Sequence, residues 1–230
     1  MSEGSVLLDC SASAVHRMAE EGCDWAGLDA IWLSHFHLDH CGGLAPYLFG
    51  TKYAPQTQER KKPLRLFGPA GTKQLIERFD AVNDYGLFDQ PFPFEVVEVD
   101  PLERFEMLPG VEAVAQKTPH TPESLAIHIT AADGKRLVYT ADTGFHEPLS
   151  AIARDSDLFL IECSFVKDKP VEKHLELAEA LFLIRKARPR RAMLTHLYPQ
   201  WDEAVLHEEV GDLKDFCELI EARDGLRLKL

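Results

Sequence analysis

Cysteine is scarce in this chain of 230 residues, which has only Cys10, Cys23, Cys41, Cys163 and Cys217. An odd number at wide spacing excludes a disulfide framework as the basis of the fold and is typical of a reducing compartment. Long apolar runs are also missing, since none approaches the roughly 20 residues that a membrane-spanning helix needs. The first residues lack the basic segment and following apolar segment of a secretory signal. We therefore expect a cytoplasmic protein that does not enter the membrane.

Basic residues are few, with 25 Lys and Arg against 38 Asp and Glu and a formal net charge of −13. Such an excess of negative charge repels polyanions, so long nucleic acid is not an expected partner. Two basic runs, at residues 60–65 and 185–191, are expected to be solvated surface charge, with a phosphate-steering rim as the alternative. No internal repeat or linker interrupts the chain, and its length suits a single domain over residues 1–230.

A dense group of metal-binding side chains follows the apolar residues 30–33, in the order His35, His37, Asp39 and His40. The apolar run predicts a buried strand, so the group lies where a strand ends and a loop begins. Neutral imidazole and carboxylate suit Zn, Mn, Fe, Co or Ni and need no thiolate. The alternative is a histidine-rich surface loop without a role.

Three more potential ligands also follow apolar segments. His120, Asp142 and His196 each lie just past a predicted strand, in loops at the strand ends. A lone histidine in a loop is more often solvated than bound to a metal. Together with the first group, however, these residues supply five histidines and two aspartates at strand ends. That number of ligands is enough for two metal ions.

The remaining patterns predict an α/β fold. Strands are expected at residues 94–99, 103–108, 111–116, 125–129 and 136–139, and helices at residues 72–83, 171–187 and 206–222. Residues 51–62 are polar and contain a proline, which predicts an exposed loop. Strands with helices at both ends and a strand-rich middle favour two mixed sheets between layers of helices.

The HxHxDH group, the Thr-Ala-Asp-Thr segment at 140–143 and the Leu-Thr-His segment at 194–196 resemble the metallo-β-lactamase superfamily. The resemblance implies a four-layer αβ/βα sandwich with a dinuclear metal site at one edge. By motif, one ion would be held by His35, His37 and His120, the other by Asp39, His40 and His196, with Asp142 between them. Zn is the expected metal, with Mn, Fe and Ni as alternatives.

Two further features bear on function and assembly. True metallo-β-lactamases lack the bridging carboxylate that Asp142 supplies, which argues against hydrolysis of β-lactams. Relatives normally have an N-terminal hairpin before this segment, whereas the sequence starts close to its first strand, at Val6. The resemblance leaves two alternatives, a fold without these edge strands or a gene start assigned too late. An exposed sheet edge would favour a homodimer.

Within the superfamily the chain is most similar to the ribonuclease Z and small phosphodiesterase branch. The similarity rests on the Gly-Pro-Ala-Gly turn at 68–71, on Asp142-Thr143, on residues 160–165, and on His174, which lies 22 residues before His196. It implies that His174 donates a proton to the leaving group, while Glu162 orients it and favours its charged form. Asp39 would contact the nucleophilic water. The alternative for His174 is a solvent-facing residue at a helix start.

The resulting hypothesis is a dinuclear metal-dependent hydrolase, most readily a phosphodiesterase for a small ester such as a cyclic nucleotide. The two ions would lower the pKa of a bridging water and clamp the phosphoryl oxygens. No long Gly- and Lys-rich insertion of the kind that grips tRNA is present, so tRNA processing is not expected. One alternative is a lactone or thioester hydrolase at the same site. Another is a metal-binding scaffold without activity.

Overall fold

The structure is a computed structural model that describes residues 4–210 and 217–230. Contacts within the chain divide it into two compact units, Met1–Gly110 and Val111–Leu230, which we describe separately. The single domain that the sequence predicts remains a prediction. Among the described helices, none combines the length and apolar character needed to cross a membrane.

Five strands belong to the first unit: β1 (Val6–Leu8), β2 (Ala30–Trp32), β3 (Leu64–Gly68), β4 (Phe94–Glu98) and β5 (Arg104–Leu108). The first four form a sheet in the order β1-β2-β3-β4, and every pair in it is parallel. The expectation of a mixed sheet is therefore wrong here. Strand β1 is first in the order, but the homodimer predicted from an exposed edge remains a prediction.

Five helices accompany these strands: α1 (Ala14–Glu20), α2 (Leu38–Cys41), α3 (Leu44–Tyr53), α4 (Pro55–Gln58) and α5 (Thr72–Asp80). Their apolar faces form one core with the sheet, in which Ile31, Leu66, Leu48 and Ile76 are fully or almost fully buried. Burial of such side chains contributes about 1.5–3 kcal/mol each. The core fixes the end of β2, from which the histidine-rich segment emerges.

The loop expected at residues 51–62 is largely helical. Helix α3 continues to Tyr53, and α4 follows after one residue, with Pro55 at its first position. Proline is tolerated there because its missing N–H has no partner in the first turn of a helix. Thr57 is buried, and its Oγ1 donates to the carbonyls of Thr51 and Ala54. These local hydrogen bonds explain how a polar segment becomes part of the packed structure.

The second unit contains the strands β6 (Val111–Lys117), β7 (Leu125–Thr130), β8 (Arg136–Tyr139), β9 (Leu158–Glu162), β10 (Arg191–Thr195) and β11 (Glu218–Glu221). They run in the order β11-β10-β9-β8-β7-β6. Pairs from β11 to β8 are parallel and those from β8 to β6 antiparallel, so this sheet is mixed as predicted. Because β8, β9 and β10 are parallel, their carboxyl ends meet at one edge.

The helical segments of this unit are α6 (Pro148–Ile152), α7 (Leu177–Ala187), a 3-10 turn (Pro199–Asp202) and α8 (Leu206–Glu209). Helix α7 begins six residues later than predicted, because Glu176 and Glu179 form a reciprocal capping box at its start. The helix expected at 206–222 ends at Glu209, and residues 218–221 form β11 instead. Residues 211–216 of that prediction lie outside the described residues.

Arg188 ends α7 in the left-handed conformation, with φ 53° and ψ 50°. This conformation costs a residue with a side chain about 1–2 kcal/mol, whereas glycine adopts it freely. We expect Arg188→Gly to raise the free energy of unfolding by about 0.5–1 kcal/mol in urea denaturation. Arg185→Gly, inside the same helix, should lower it by about 1 kcal/mol. Equal losses for both variants would contradict the left-handed helix end.

Candidate metal centre

The first unit presents a group of potential ligands just past β2, which we call the histidine loop (His35–His40). His35 and His40 are buried, whereas His37 and Asp39 are exposed. The rings of His35 and His37 lie 4.7 Å apart between centroids, and those of His35 and His40 lie 4.2 Å apart. The Nε2 atom of His40 is 3.7 Å from Asp39 Oδ2. All four predicted ligands of this segment therefore lie close together.

Asp9 directly follows β1, and its carboxylate makes hydrogen bonds that hold the histidine loop in place. Its Oδ1 accepts from the backbone N–H of Ser34 at 2.7 Å, and its Oδ2 accepts from His40 Nδ1 at 2.7 Å. Because a carboxylate only accepts, Nδ1 of His40 carries the hydrogen, and Nε2 is the nitrogen suited to a metal.

Ser34 imposes the same tautomer on His35. The Ser34 hydroxyl lies 2.8 Å from Asp9 Oδ2 and 3.0 Å from His35 Nδ1. Its single hydrogen goes to the carboxylate, so the imidazole must donate to the serine oxygen. His35 then also presents Nε2 as the ligand atom. Ser34 was not singled out from the sequence, and its only signal was its position directly before the histidine loop.

In the second unit His120, Asp142 and His196 meet at the edge where strands end. Asp142 Oδ2 is 3.5 Å from His120 Nε2, and its Oδ1 is 3.3 Å from His196 Nε2. Each carboxylate oxygen thus faces a different imidazole, an arrangement suited to bridging. His120 Nδ1 donates to the carbonyl of Lys173 at 2.9 Å, which again selects Nε2 as the ligand atom.

Three residues at or beside these ligands have a left-handed backbone conformation. Asp9, Ala141 and His196 have φ values of 59°, 49° and 58°. A left-handed residue with a side chain costs about 1–2 kcal/mol, and such residues cluster where geometry serves function. Ala141 directly precedes Asp142, at a backbone conformation that glycine would adopt at lower cost.

Glu162, the last residue of β9, is a fully buried carboxylate with five hydrogen bonds. Its Oε1 accepts from Thr143 N at 2.7 Å and from His174 Nδ1 at 3.0 Å. Its Oε2 accepts from Leu175 N at 3.1 Å, and from the N–H and hydroxyl of Ser164 at 3.3 and 2.8 Å. Glu162 therefore joins three segments and fixes the imidazole of His174.

His174 is only 9% exposed and precedes α7, so it is not a solvent-facing helix residue. Its ring lies 4.8 Å from that of His120 and stacks on that of His196 at 5.3 Å, with an interplanar angle of 9°. Tyr198 covers both His174 and His196, with centroids 5.7 and 5.3 Å away. Tyr198 was not singled out from the sequence, although it lies two residues past a proposed ligand.

Among the described residues, both basic runs contain side chains that make hydrogen bonds or ion pairs within the fold. The first basic run is largely structural, because Arg60 donates to the carbonyls of Ala26, Leu28, Lys62 and Pro63. In the second run, Lys186 pairs with Glu147 and Arg190 with Asp157.

Cys41 directly follows the histidine loop, but its thiol is buried and donates to the carbonyl of Phe36 at 3.3 Å. Burial, followed by the charges of Asp9 and Asp39, raises its pKa to about 11. At pH 8 only about one thiol in a thousand would be ionised. We expect iodoacetamide to modify exposed Cys23 at least about a hundredfold faster than Cys41. The ratio of the two rates should fall as pH rises towards 11. Equal rates in peptide mapping would contradict this burial.

The donors of both units suit a divalent metal. They are imidazole and carboxylate groups, and His35, His40 and His120 each have Nδ1 engaged in a hydrogen bond that selects Nε2 for a metal. Within each unit, the potential ligand atoms lie within 4.8 Å in the pairs His35 and His37, Asp39 and His40, His120 and Asp142, and Asp142 and His196.

Comparison with known proteins agrees with this chemistry. The family model of the beta-lactamase superfamily domain matches residues 5–197. A ribonuclease Z of Methanosarcina acetivorans is 25% identical, with 99% of this chain and 90% of that protein aligned. An uncharacterized protein of Mycobacterium tuberculosis is 31% identical over 74% of this chain. The chain spans 62% of the length of that mycobacterial relative.

Solved structures show the same fold. The metallo-beta-lactamase fold protein YhfI from Bacillus subtilis has a TM-score of 0.77 at 22% identity, over 98% of this chain and 87% of that one. A diphosphatase from the PhnP family has a TM-score of 0.75 at 20% identity, over 100% and 82%. The predicted α/β fold class and the family resemblance are confirmed, and the fold implies divalent metal ions. The chain belongs to the beta-lactamase superfamily.

Proposed function

We propose that this protein is a phosphodiesterase that binds two divalent ions, Zn first among them, and acts on a small phosphodiester. The ligands would be those that the family resemblance implies: His35, His37 and His120 for one ion, Asp39, His40 and His196 for the other, with Asp142 shared. When bound, the two ions supply an activated water and neutralise charge on the phosphoryl oxygens. The net charge of −13 favours a small substrate over long nucleic acid.

The observation that carries the phosphodiesterase proposal is the pairing of His174 with Glu162 at 3.0 Å, beside the rings of His120 and His196. A phosphodiester expels an alkoxide, which needs a proton as it leaves. Glu162 engages Nδ1 of His174, so the proton for transfer is the one on Nε2. The similarity to a protein named ribonuclease Z supports the same class of reaction.

Asp39 has a second proposed role beside metal binding. Its side chain is 63% exposed, while His40 beside it is 6% exposed, so its carboxylate is accessible to a water. We expect Asp39 to hold the attacking water through one oxygen. Lactone or thioester hydrolysis at the same residues is the alternative function, and it would not require proton donation by His174.

Replacement of His174 with alanine tests this proposal. We expect kcat for bis(p-nitrophenyl) phosphate to fall by about 10²–10⁴ while the metal content stays unchanged. His16→Ala is the matched control, because His16 is exposed and pairs with Glu20 on α1. A panel of lactones, thioesters and precursor tRNA, assayed in parallel, separates the substrate classes. Unchanged diesterase turnover in His174→Ala would exclude the proton-donor role.

A further inference from the structure

Ser164 lies at the meeting point of the proposed proton donor and a proposed metal ligand. It is fully buried, two residues past the end of β9. Its Oγ is 2.8 Å from Glu162 Oε2, 2.9 Å from His196 Nδ1 and 3.2 Å from His174 Nδ1. One hydroxyl group thus contacts a buried carboxylate and two imidazoles that stack on each other.

The hydrogen-bonding capacity of a hydroxyl determines the direction of each contact. A serine oxygen carries one hydrogen and two lone pairs, while a carboxylate can only accept. The hydrogen of Ser164 therefore goes to Glu162, and the Nδ1 atoms of His196 and His174 both donate. His174 Nδ1 donates to two acceptors at once, since Glu162 Oε1 also lies 3.0 Å from it. In His196 the remaining nitrogen, Nε2, is the one 3.3 Å from Asp142.

The first unit contains the same arrangement on a different sequence. There the buried carboxylate is Asp9, the serine is Ser34, and the two imidazoles are His35 and His40. In both units the serine donates to the carboxylate and accepts from a histidine proposed as a ligand. The second unit differs in one respect, because the serine also contacts His174, which the metal proposal does not use.

We propose that Ser164 is a positioning residue that couples metal binding by His196 to the orientation of His174. Both imidazoles donate to the same serine oxygen. A movement of either ring therefore displaces the oxygen that accepts the hydrogen bond from the other ring. Metal binding at His196 Nε2 requires the hydrogen on Nδ1, and Ser164 holds it there. This inference rests on the proposed function, since it assigns roles to both histidines.

Two substitutions separate this role from simple packing. Ser164→Ala removes the hydroxyl, whereas Ser164→Thr retains it and adds one methyl group. In titration calorimetry of the metal-free protein with Zn²⁺, we expect Ser164→Ala to weaken binding of one of the two ions, the one that His196 would hold, by about 10–100-fold. Ser164→Thr should stay within about threefold of the unchanged protein. We expect the same ranking for the kcat of phosphodiester hydrolysis, with a large loss in Ser164→Ala, a small loss in Ser164→Thr and little change in KM for either variant.

Nitrogen-15 NMR of the histidine side chains in metal-free protein gives a readout independent of activity. We expect His196 to hold its hydrogen on Nδ1 in the unchanged protein and in Ser164→Thr, and a mixture of tautomers in Ser164→Ala. Ser34→Ala is the comparison variant. It should change the tautomer of His35 and leave the tautomer of His174 unchanged. If Ser164→Ala does not fold, Ser164→Cys keeps the volume with a weaker hydrogen-bonding group.

The outcomes distinguish this inference from the proposed function. Unchanged Zn²⁺ affinity and an unchanged His196 tautomer in Ser164→Ala would overturn the positioning role, whatever the enzyme hydrolyses. The protein could instead cleave no phosphodiester while Ser164→Ala still weakens Zn²⁺ binding and changes the His196 tautomer. That result would overturn the proposed function and the coupling to His174, and Ser164 would remain a residue that positions a metal ligand.

Discussion

Replacing Glu162 with glutamine is expected to lower the free energy of unfolding by about 2–4 kcal/mol and diesterase kcat by at least about a hundredfold. Oε1 faces two donors, Thr143 N and His174 Nδ1, and Oε2 faces three, from Ser164 and Leu175. A glutamine NH₂ group in either orientation meets at least two N–H or O–H groups that also donate. The buried donors then lose their partners, and His174 loses its fixed position.

Urea denaturation and diesterase assays of the same preparations measure both effects. Glu147→Gln is the matched control, because Glu147 is exposed and pairs with Lys186 at the surface, where ion pairs contribute up to about 1 kcal/mol. A Glu162→Gln variant as stable and active as this control would contradict the role given to the buried carboxylate.

Replacing Asp142 with asparagine should have the largest effect on metal binding and catalysis. The two oxygens of Asp142 face His120 and His196 separately, and asparagine can offer an anionic oxygen to neither. We expect kcat/KM for the diester to fall by about a thousandfold or more, as when a group essential to the transition state is lost. The metal-free protein should change little in stability, because the substitution removes a buried charge.

Thermal unfolding with and without added Zn²⁺ isolates the metal effect. A ligand that binds only the folded state stabilises it by RT ln(1 + [L]/Kd), about 2.7 kcal/mol at a hundredfold excess over Kd. The unchanged protein should gain several degrees in Tm with Zn²⁺, and Asp142→Asn much less. Asp133→Asn, in an exposed turn, is the control for loss of one carboxylate. An equal Tm gain in Asp142→Asn would show that this carboxylate binds no metal.

The sequence identified most side chains of the candidate centre because they follow a positional rule. Asp142, Glu162 and His196 lie at or just past the ends of β8, β9 and β10, which are parallel and so end at one edge. Apolar strand patterns followed by polar ligands are visible in a sequence. The supporting serines were not found, because serine is common in loops and its role depends on which carboxylate lies beside it.

Errors in the fold arose where tertiary contacts override local patterns. Residues 171–176 continue the helical pattern of α7, but the capping box of Glu176 fixes the helix start. Residues 218–221 have a helix-compatible composition, yet they pair with β10 in a parallel register that only the sheet supplies. The polar residues near Thr57 predicted a loop. Their hydrogen bonds to backbone carbonyls stabilise a helical segment instead, and these bonds cannot be inferred from composition.

The number of metal ions that the protein needs is the most direct test of the account. We would titrate Zn²⁺ into metal-free protein by calorimetry and follow hydrolysis of bis(p-nitrophenyl) phosphate at each step. We expect two equivalents of Zn²⁺ to bind per chain, with maximal hydrolysis only when the second is bound. Binding of one equivalent or none would contradict it, as would two equivalents with cleavage confined to lactones or thioesters.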